Sequence, residues 1–213
     1  MNFQDFLNVS PKLRKITLPG EESHFKLAPM MRLKDLERIN IEEQKPNEAA
    51  VLAVFYPGPS NETRFVLILR KTYRGVHSNQ VGFPGGRVEP EDLNLMHTAL
   101  RETQEEVGIP REEVEVLREL SRLYIPPSNF WVYPFMGIMK RTPVLIPQEE
   151  EVEAVLEIEL NEFLSDSCLT TQTLSTSYAK EIEVPAFFLN GHVVWGATAM
   201  MLSEMKDILK QVL

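Results

Sequence analysis

Within six residues, Arg101-Glu102-Thr103-Gln104-Glu105-Glu106, the chain places three carboxylates and one guanidinium. On an α-helix each residue advances about 100°, so with Met96 at zero Glu102, Glu105 and Glu106 fall at about 240°, 180° and 280°. Ala99, Leu100, Thr103 and Val107 gather around Met96 on the adjoining face. A carboxylate stripe beside a buried face is costly when left alone. Like charges at i,i+3 and i,i+4 repel and raise one another's pKa. A hard divalent cation relieves that repulsion, and an all-oxygen donor set suits Mg²⁺ or Mn²⁺. Two neighbours favour this reading over a merely solvated helix face. Arg101 stands four residues before Glu105 and can hold its carboxylate by a charge-assisted bond. Gly85-Gly86, upstream of the helix, permits a close backbone approach that a plain surface helix has no use for.

The apolar periodicity puts these groups on a helix from Leu93 to Val107, with Gly108 as its C-cap. Before it, residues 75–87 form a glycine-rich loop, and before that two apolar, β-branched runs, Ala49–Tyr56 and Phe65–Leu69, read as strands joined by the Pro57–Asn61 loop. Val114–Ile125 and Phe130–Met139 read as strands around the Pro126–Asn129 turn, Ala154–Glu159 as a further strand, and Glu181–Phe187 with His192–Trp195 as a late hairpin. Ala197–Leu213 closes the chain as an amphipathic helix whose apolar face would cover the sheet or meet a second copy in a homodimer. Residues 1–45 are expected to be an N-terminal helical extension and 46–213 the main domain. In the extension Phe3, Phe6 and Leu7 mark a short helix, Ser10-Pro11 an N-cap with proline at the first helical position, and Leu33, Leu36 and Ile39 another helix. Interleaved strands and helices place the chain in the α/β or α+β class.

Charge sharpens the picture. The chain has 31 acidic and 22 basic residues, a net −9, and its 43% hydrophobic content supports a real core. That balance argues against a general nucleic-acid binder, which needs a cationic surface. The imbalance sits in two acidic blocks, 89–119 and 149–162, and one basic block, 64–88, which holds Arg64, Arg70, Lys71, Arg74 and Arg87 without an acid. A basic segment joined to an acidic one suits cations held beside a pocket for phosphate oxygens. Cys168 is the single cysteine, so neither an internal disulfide nor a CxxC zinc site is available. The start lacks the pattern of a secretory signal, and the longest near-continuous apolar stretch, Val193–Leu202, is too short to span a bilayer. The expectation is a cytoplasmic protein with no membrane partner.

From Gly86 to Ile109 the chain resembles the Nudix box, the signature of Nudix hydrolases, usually written GX5EX7REUXEEXGU. Here Gly86-x5-Asp92 is followed by eight residues rather than seven before Arg101-Glu102-Thr103-x-Glu105-Glu106-x-Gly108-Ile109. Thr103 stands where an apolar residue is usual, and Asp92 replaces a glutamate. The resemblance implies an α/β/α sandwich with a central mixed β-sheet and hydrolysis of a nucleoside diphosphate linked to another moiety, with Mg²⁺ or Mn²⁺. By motif position Glu102 and Glu106 would be metal ligands, and Glu105 a third ligand or the base that activates water.

The upstream segment is similar to the leader of coenzyme A pyrophosphatase-type Nudix proteins, approximately R-S/A-x3-R-x-H-x-G-Q-V-x-F-P-G-G. Arg70, His77, Gln80, Val81 and Phe83–Gly86 agree, while Lys71, Gly75 and Asn79 depart from it. The extra box residue and Asp92 are usual in that subfamily, and Ile125–Phe130 and Val194–Ala199 also resemble it. The implied substrate is coenzyme A or a derivative, cut to 3′,5′-ADP and 4′-phosphopantetheine, with Arg70, Arg74, His77 and Arg87 facing it. ADP-ribose, NADH or a dinucleotide are the rival substrates, and a catalytically silent nucleotide-binding module is the rival class. Arg101 joins Glu105 in the expected catalytic set. The block Glu149-Glu150-Glu151 is a second source of a general base. His97 reads as idle, Trp195 and Phe187 as core, and Cys168 as structural.

Overall fold

The computed structural model describes residues 1–32, 39–72, 79–174 and 181–213. At its centre lies a mixed sheet in the order β3-β2-β1-β7-β5. Its strands are β1 (Asn47–Pro57), β2 (Thr63–Arg70), β3 (Val81–Gly82), β5 (Val114–Glu119) and β7 (Phe130–Met139). The short strand β4 (Gly85–Arg87) pairs with β1, β6 (Leu123–Ile125) with β7, and β8 (Val152–Glu159) with β2. β1 and β7 are parallel over Asn47–Phe55, whereas β1 and β2 are antiparallel. A second sheet is the meander of β9 (Leu169–Leu174), β10 (Ile182–Leu189) and β11 (His192–Trp195), so the late hairpin expected from the sequence is present.

Successive strand residues face opposite sides, and β1 is apolar on both. Ala49, Ala53 and Phe55 join one core cluster, Ala50, Leu52, Val54 and Tyr56 the other. The first cluster is covered by helices α1 (Phe3–Leu13), α4 (Leu160–Leu164) and α5 (Gly196–Val212), the second by α3 (Leu95–Val107). Helices on both faces of a mixed sheet make the α/β/α sandwich. The apolar side of α5 is packed inside the chain, with Ala199 through Met205, Ile208 and Leu209 buried. Among the described residues no helix is long and apolar enough to cross a membrane.

One N-terminal expectation is corrected. Ser10-Pro11 does not start a helix but lies inside α1, which begins after Asn2, whose side chain accepts from the Gln4 N–H at 2.8 Å. Proline there leaves the Leu7 carbonyl without its usual donor, and the Ser10 hydroxyl takes that place at 3.0 Å. The helix around Leu33, Leu36 and Ile39 was expected from a stretch in which 33–38 lie outside the described residues. A short helix α2 (Glu21–Lys26) packs on α5.

Candidate active site

Helix α3 is capped at its start by the Asn94 side chain on the His97 N–H and at its end by Gly108, whose φ of 75° is left-handed. Its buried face is Thr98, Ala99, Thr103, Glu106 and Val107. Met96, chosen from the sequence as the centre of that face, is exposed, while its neighbour Leu95 packs against the core. The buried face is therefore rotated toward the carboxylates, and Glu106 lies within it, only 2% exposed. Thr103 fits an apolar position by donating its hydroxyl to the Ala99 carbonyl at 2.7 Å.

The glycine pair does what its composition suggests. The N–H of Gly85 donates to Glu106 Oε2 at 2.8 Å. Gly85 has φ +147°, and a Cβ there would collide with the backbone of Ala50 and Val51. A Cβ on Gly86 would stand 2.5 Å from the Glu102 carboxylate. Strand β4 thus lies directly against two glutamates of α3. The other Glu106 oxygen, Oε1, is buried and among the described residues accepts no hydrogen bond, with Arg70 Nη1 standing 3.6 Å away. Burial pushes the Glu106 carboxyl up to about 7, against the Gly85 N–H and Arg70, with the charges of Glu102 and Glu151 adding to the rise. Glu102 is also raised, by burial above all, and the charges of Glu105 and Glu151 add to it while Arg101 opposes.

Glu105 is not drawn into this pair. Its side chain is 56% exposed and is held by Arg101 Nη1 at 3.0 Å. The expected Arg101–Glu105 bond is present, but the strongest partner of Arg101 is Asp92. Its Nε and Nη2 bond the two Asp92 oxygens at 3.0 and 2.9 Å, while Nη1 reaches Glu102 at 3.0 Å and Nη2 the Arg87 carbonyl at 3.2 Å. With its guanidinium so engaged, Arg101 holds the carboxylates in place rather than reaching outward. Asp92 also accepts from the Glu89 N–H at 3.0 Å and the Thr98 hydroxyl at 2.9 Å, and His97 Nδ1 stands 3.1 Å from it. His97 is therefore part of the loop's anchorage rather than idle. The Arg101 bond above all keeps the Asp92 carboxyl well below the usual carboxylate range.

A cavity of about 300 Å³ opens beside Gly85-Gly86, a size suited to a small ligand. Arg70 and Arg87 line it, as does Gln80. Arg74 and His77 lie outside the described residues. Trp195, read from sequence as core, is half-buried and lines the cavity, whereas Phe187 is core as expected. Cys168 is buried and burial raises its thiol pKa. The second acidic block now has a place. Glu157 accepts from the Tyr56 hydroxyl at 2.8 Å and Glu159 from Arg64 at 3.1 Å. Glu151 enters the glutamate group because β8 pairs with β2, and the Lys71 N–H donates to the Glu151 carbonyl at 2.8 Å. Sequence spacing alone carries no sign of that pairing.

Among the described residues, no group of three or more His, Cys, Asp or Glu is gathered tightly enough to hold a metal ion without rearrangement. The donor set still fits a hard cation: the buried Glu106 and the partly buried Glu102 stand side by side, both with raised pKa, and one buried Glu106 oxygen has no hydrogen-bond donor among the described residues.

Residues 46–172 match the family described as NUDIX domain. The chain is 32% identical over 184 residues to the uncharacterized Nudix hydrolase NudL of Yersinia enterocolitica, covering 80% of this chain and 89% of that one. It is 33% identical over 129 residues to NudL of Photorhabdus laumondii, covering 61% of this chain and 68% of that one. In fold it is similar to a Nudix hydrolase from M. smegmatis, RenU, with TM-score 0.52 and 11% identity over 79% of this chain and 88% of that one. It is likewise similar to a MutT/nudix family protein from Enterococcus faecalis, with TM-score 0.50 and 17% identity over 92% of this chain and 76% of that one. The motif, the sandwich and the match over more than half its length agree that this chain belongs to the Nudix hydrolase family.

Proposed function

We propose that this protein is a cytoplasmic, metal-dependent pyrophosphohydrolase that cleaves the diphosphate of coenzyme A or its derivatives to 3′,5′-ADP and 4′-phosphopantetheine. The observation that carries the reading is the Glu102–Glu106 pair lying under Gly85-Gly86 at the edge of a cavity lined by Arg70 and Arg87. Residues 46–213 would form the hydrolase domain and 1–45 an extension to it. Glu102 and Glu106 would hold Mg²⁺ or Mn²⁺, with Glu105 as a third donor once released from Arg101. A bound divalent ion supplies polarisation of the diphosphate and a lowered pKa for water. Arg70 and Arg87 would pair with phosphate oxygens, Arg70 turning from Glu106 toward the ligand, and Arg74 and His77 would add to this set. Planar guanidinium groups suit such bidentate contacts. Arg101 is a positioning residue that ties Glu102 to Asp92 and holds Glu105 until metal binds. The water's proton would pass to Glu105 or Glu151, and the coupling of Glu151 to both Glu102 and Glu106 favours Glu151.

Turnover of coenzyme A, 3′-dephospho-coenzyme A and ADP-ribose under saturating Mg²⁺ tests the substrate assignment. Coenzyme A should be hydrolysed fastest, with the two named products identified by mass spectrometry. Faster hydrolysis of ADP-ribose would reverse the assignment while leaving the pyrophosphohydrolase chemistry intact.

A further inference from the structure

The cavity has two walls of different origin. One comes from the segment matched to the family: Ala49, Val51, Gly86 and the arginines. The other comes from the two ends of the chain, outside that segment: Pro29, Met31 and Arg32 on one side, Trp195, Thr198 and Met201 on the other. The first set brings the arginines Arg70 and Arg87 into the lining, and the second brings the apolar side chains of Met31, Trp195 and Met201.

These end pieces are fastened to one another through a buried carboxylate, with Asp207 bonding Ser23 and Lys26 beside it. Glu204 of α5 is fully buried and accepts from the Gly20 N–H at 3.0 Å, the Ser121 N–H at 2.9 Å and the Ser121 hydroxyl at 2.6 Å, with His24 Nε2 at 3.5 Å. Each of the three segments it joins goes on to line the cavity: the N-terminal stretch at Met31 and Arg32, the chain after Ser121 at Ile125, and α5 at Met201. Arg32 adds a bond from its guanidinium to the Tyr124 carbonyl, closing the N-terminal stretch onto β6. Removing a partner from a buried, fully bonded carboxylate is expensive, so the wall is built to hold its shape. A cavity lined by the arginines Arg70 and Arg87 and by the apolar side chains of Met31, Trp195 and Met201, with the Arg32 guanidinium turned to the Tyr124 carbonyl, suits a ligand that is charged at one end and carries hydrocarbon at the other.

Resting on the function proposed above, we infer that the stretch Pro29–Arg32, clamped through Glu204 and lining one cavity with Trp195 and Met201, is the specificity wall for the non-nucleotide arm of the substrate. That arm is a flexible chain with apolar surface rather than a second sugar.

The test is calorimetric titration without divalent cation, so that no hydrolysis enters and a failure of the enzymatic assignment leaves the result readable. Coenzyme A, which carries the arm, is compared with 3′,5′-ADP, which lacks it, on the wild type, Met31→Gln and Trp195→Gln, each checked for an unchanged melting temperature. Each variant should weaken coenzyme A by about tenfold, the scale of one lost apolar contact in a pocket, and leave 3′,5′-ADP unchanged. Equal weakening of both ligands, or of neither, in folded variants would overturn the inference. Should one substitution destabilise the fold, the other carries the comparison alone.

Discussion

Asp92 and Glu106 are both buried carboxylates beside the same helix, and their surroundings are opposite. Asp92 has five polar contacts, two of them from one guanidinium, and is held strongly ionised. Glu106 has one backbone donor, one oxygen without a donor, and a carboxyl pushed up to about 7 by burial. A buried charge that is fully bonded serves as a strut, while one left under-bonded in the same protein carries a cost that a ligand can remove. The contrast separates the scaffold from the working group within a span of fifteen residues.

The largest effect should come from removing the under-bonded group. Glu106→Gln should lower Mg²⁺-dependent turnover by more than about a hundredfold, since disturbing even an outer partner of a metal ligand costs up to that much. Its melting temperature without metal should hold or rise, because a neutral amide is easier to bury there. Steady-state kinetics with a thermal melt reads both. Asp92→Asn should do the reverse to stability: chemical denaturation should show a loss of about 3 kcal/mol, as expected when a buried ion pair loses one partner.

The same pair makes opposite pH predictions. The Glu106 carboxyl titrates higher in the folded protein than its ordinary 4.5, so the folded state holds its proton where the unfolded chain has released it. Metal-free stability should fall as pH rises from about 4.5 to 7, and Glu106→Gln should flatten that slope, leaving the smaller share that the raised Glu102 carboxyl contributes. The Asp92 carboxyl titrates below its ordinary 3.8. Its contribution is therefore present above that pH and lost as pH falls through the folded value, a loss that Asp92→Asn should abolish. Denaturation midpoints across pH 2–8 read both limbs. The smallest effect should be that of Gly86→Ala, whose Cβ displaces the Glu102 carboxylate. A ten- to hundredfold fall in turnover is expected, on the order of the penalty for a misplacement near 1 Å, with little loss of stability.

Much of this was legible in the sequence because it is local. Helix α3, its Gly108 cap, the close approach of Gly85-Gly86 and the strand pairs around both turns follow from periodicity and residue type within about fifteen positions. The helical wheel misjudged Met96 and set Glu106 beside the core rather than in it, because a wheel gives relative angles and only the sheet fixes which angle is buried. Asp92 as the anchor of Arg101 and His97 depends on how a loop closes back on the helix. Glu151 reaches the site through β2–β8 pairing, and Met31 and Trp195 reach the cavity from opposite ends of the chain. These are contacts between distant segments, which spacing does not encode.

Calorimetric titration of Mn²⁺ into the wild type, Glu106→Gln and Asp92→Asn tests the central claim most directly. Saturable binding is expected in the wild type, with its loss in Glu106→Gln and its retention in folded Asp92→Asn. Undiminished Mn²⁺ binding to Glu106→Gln would contradict it.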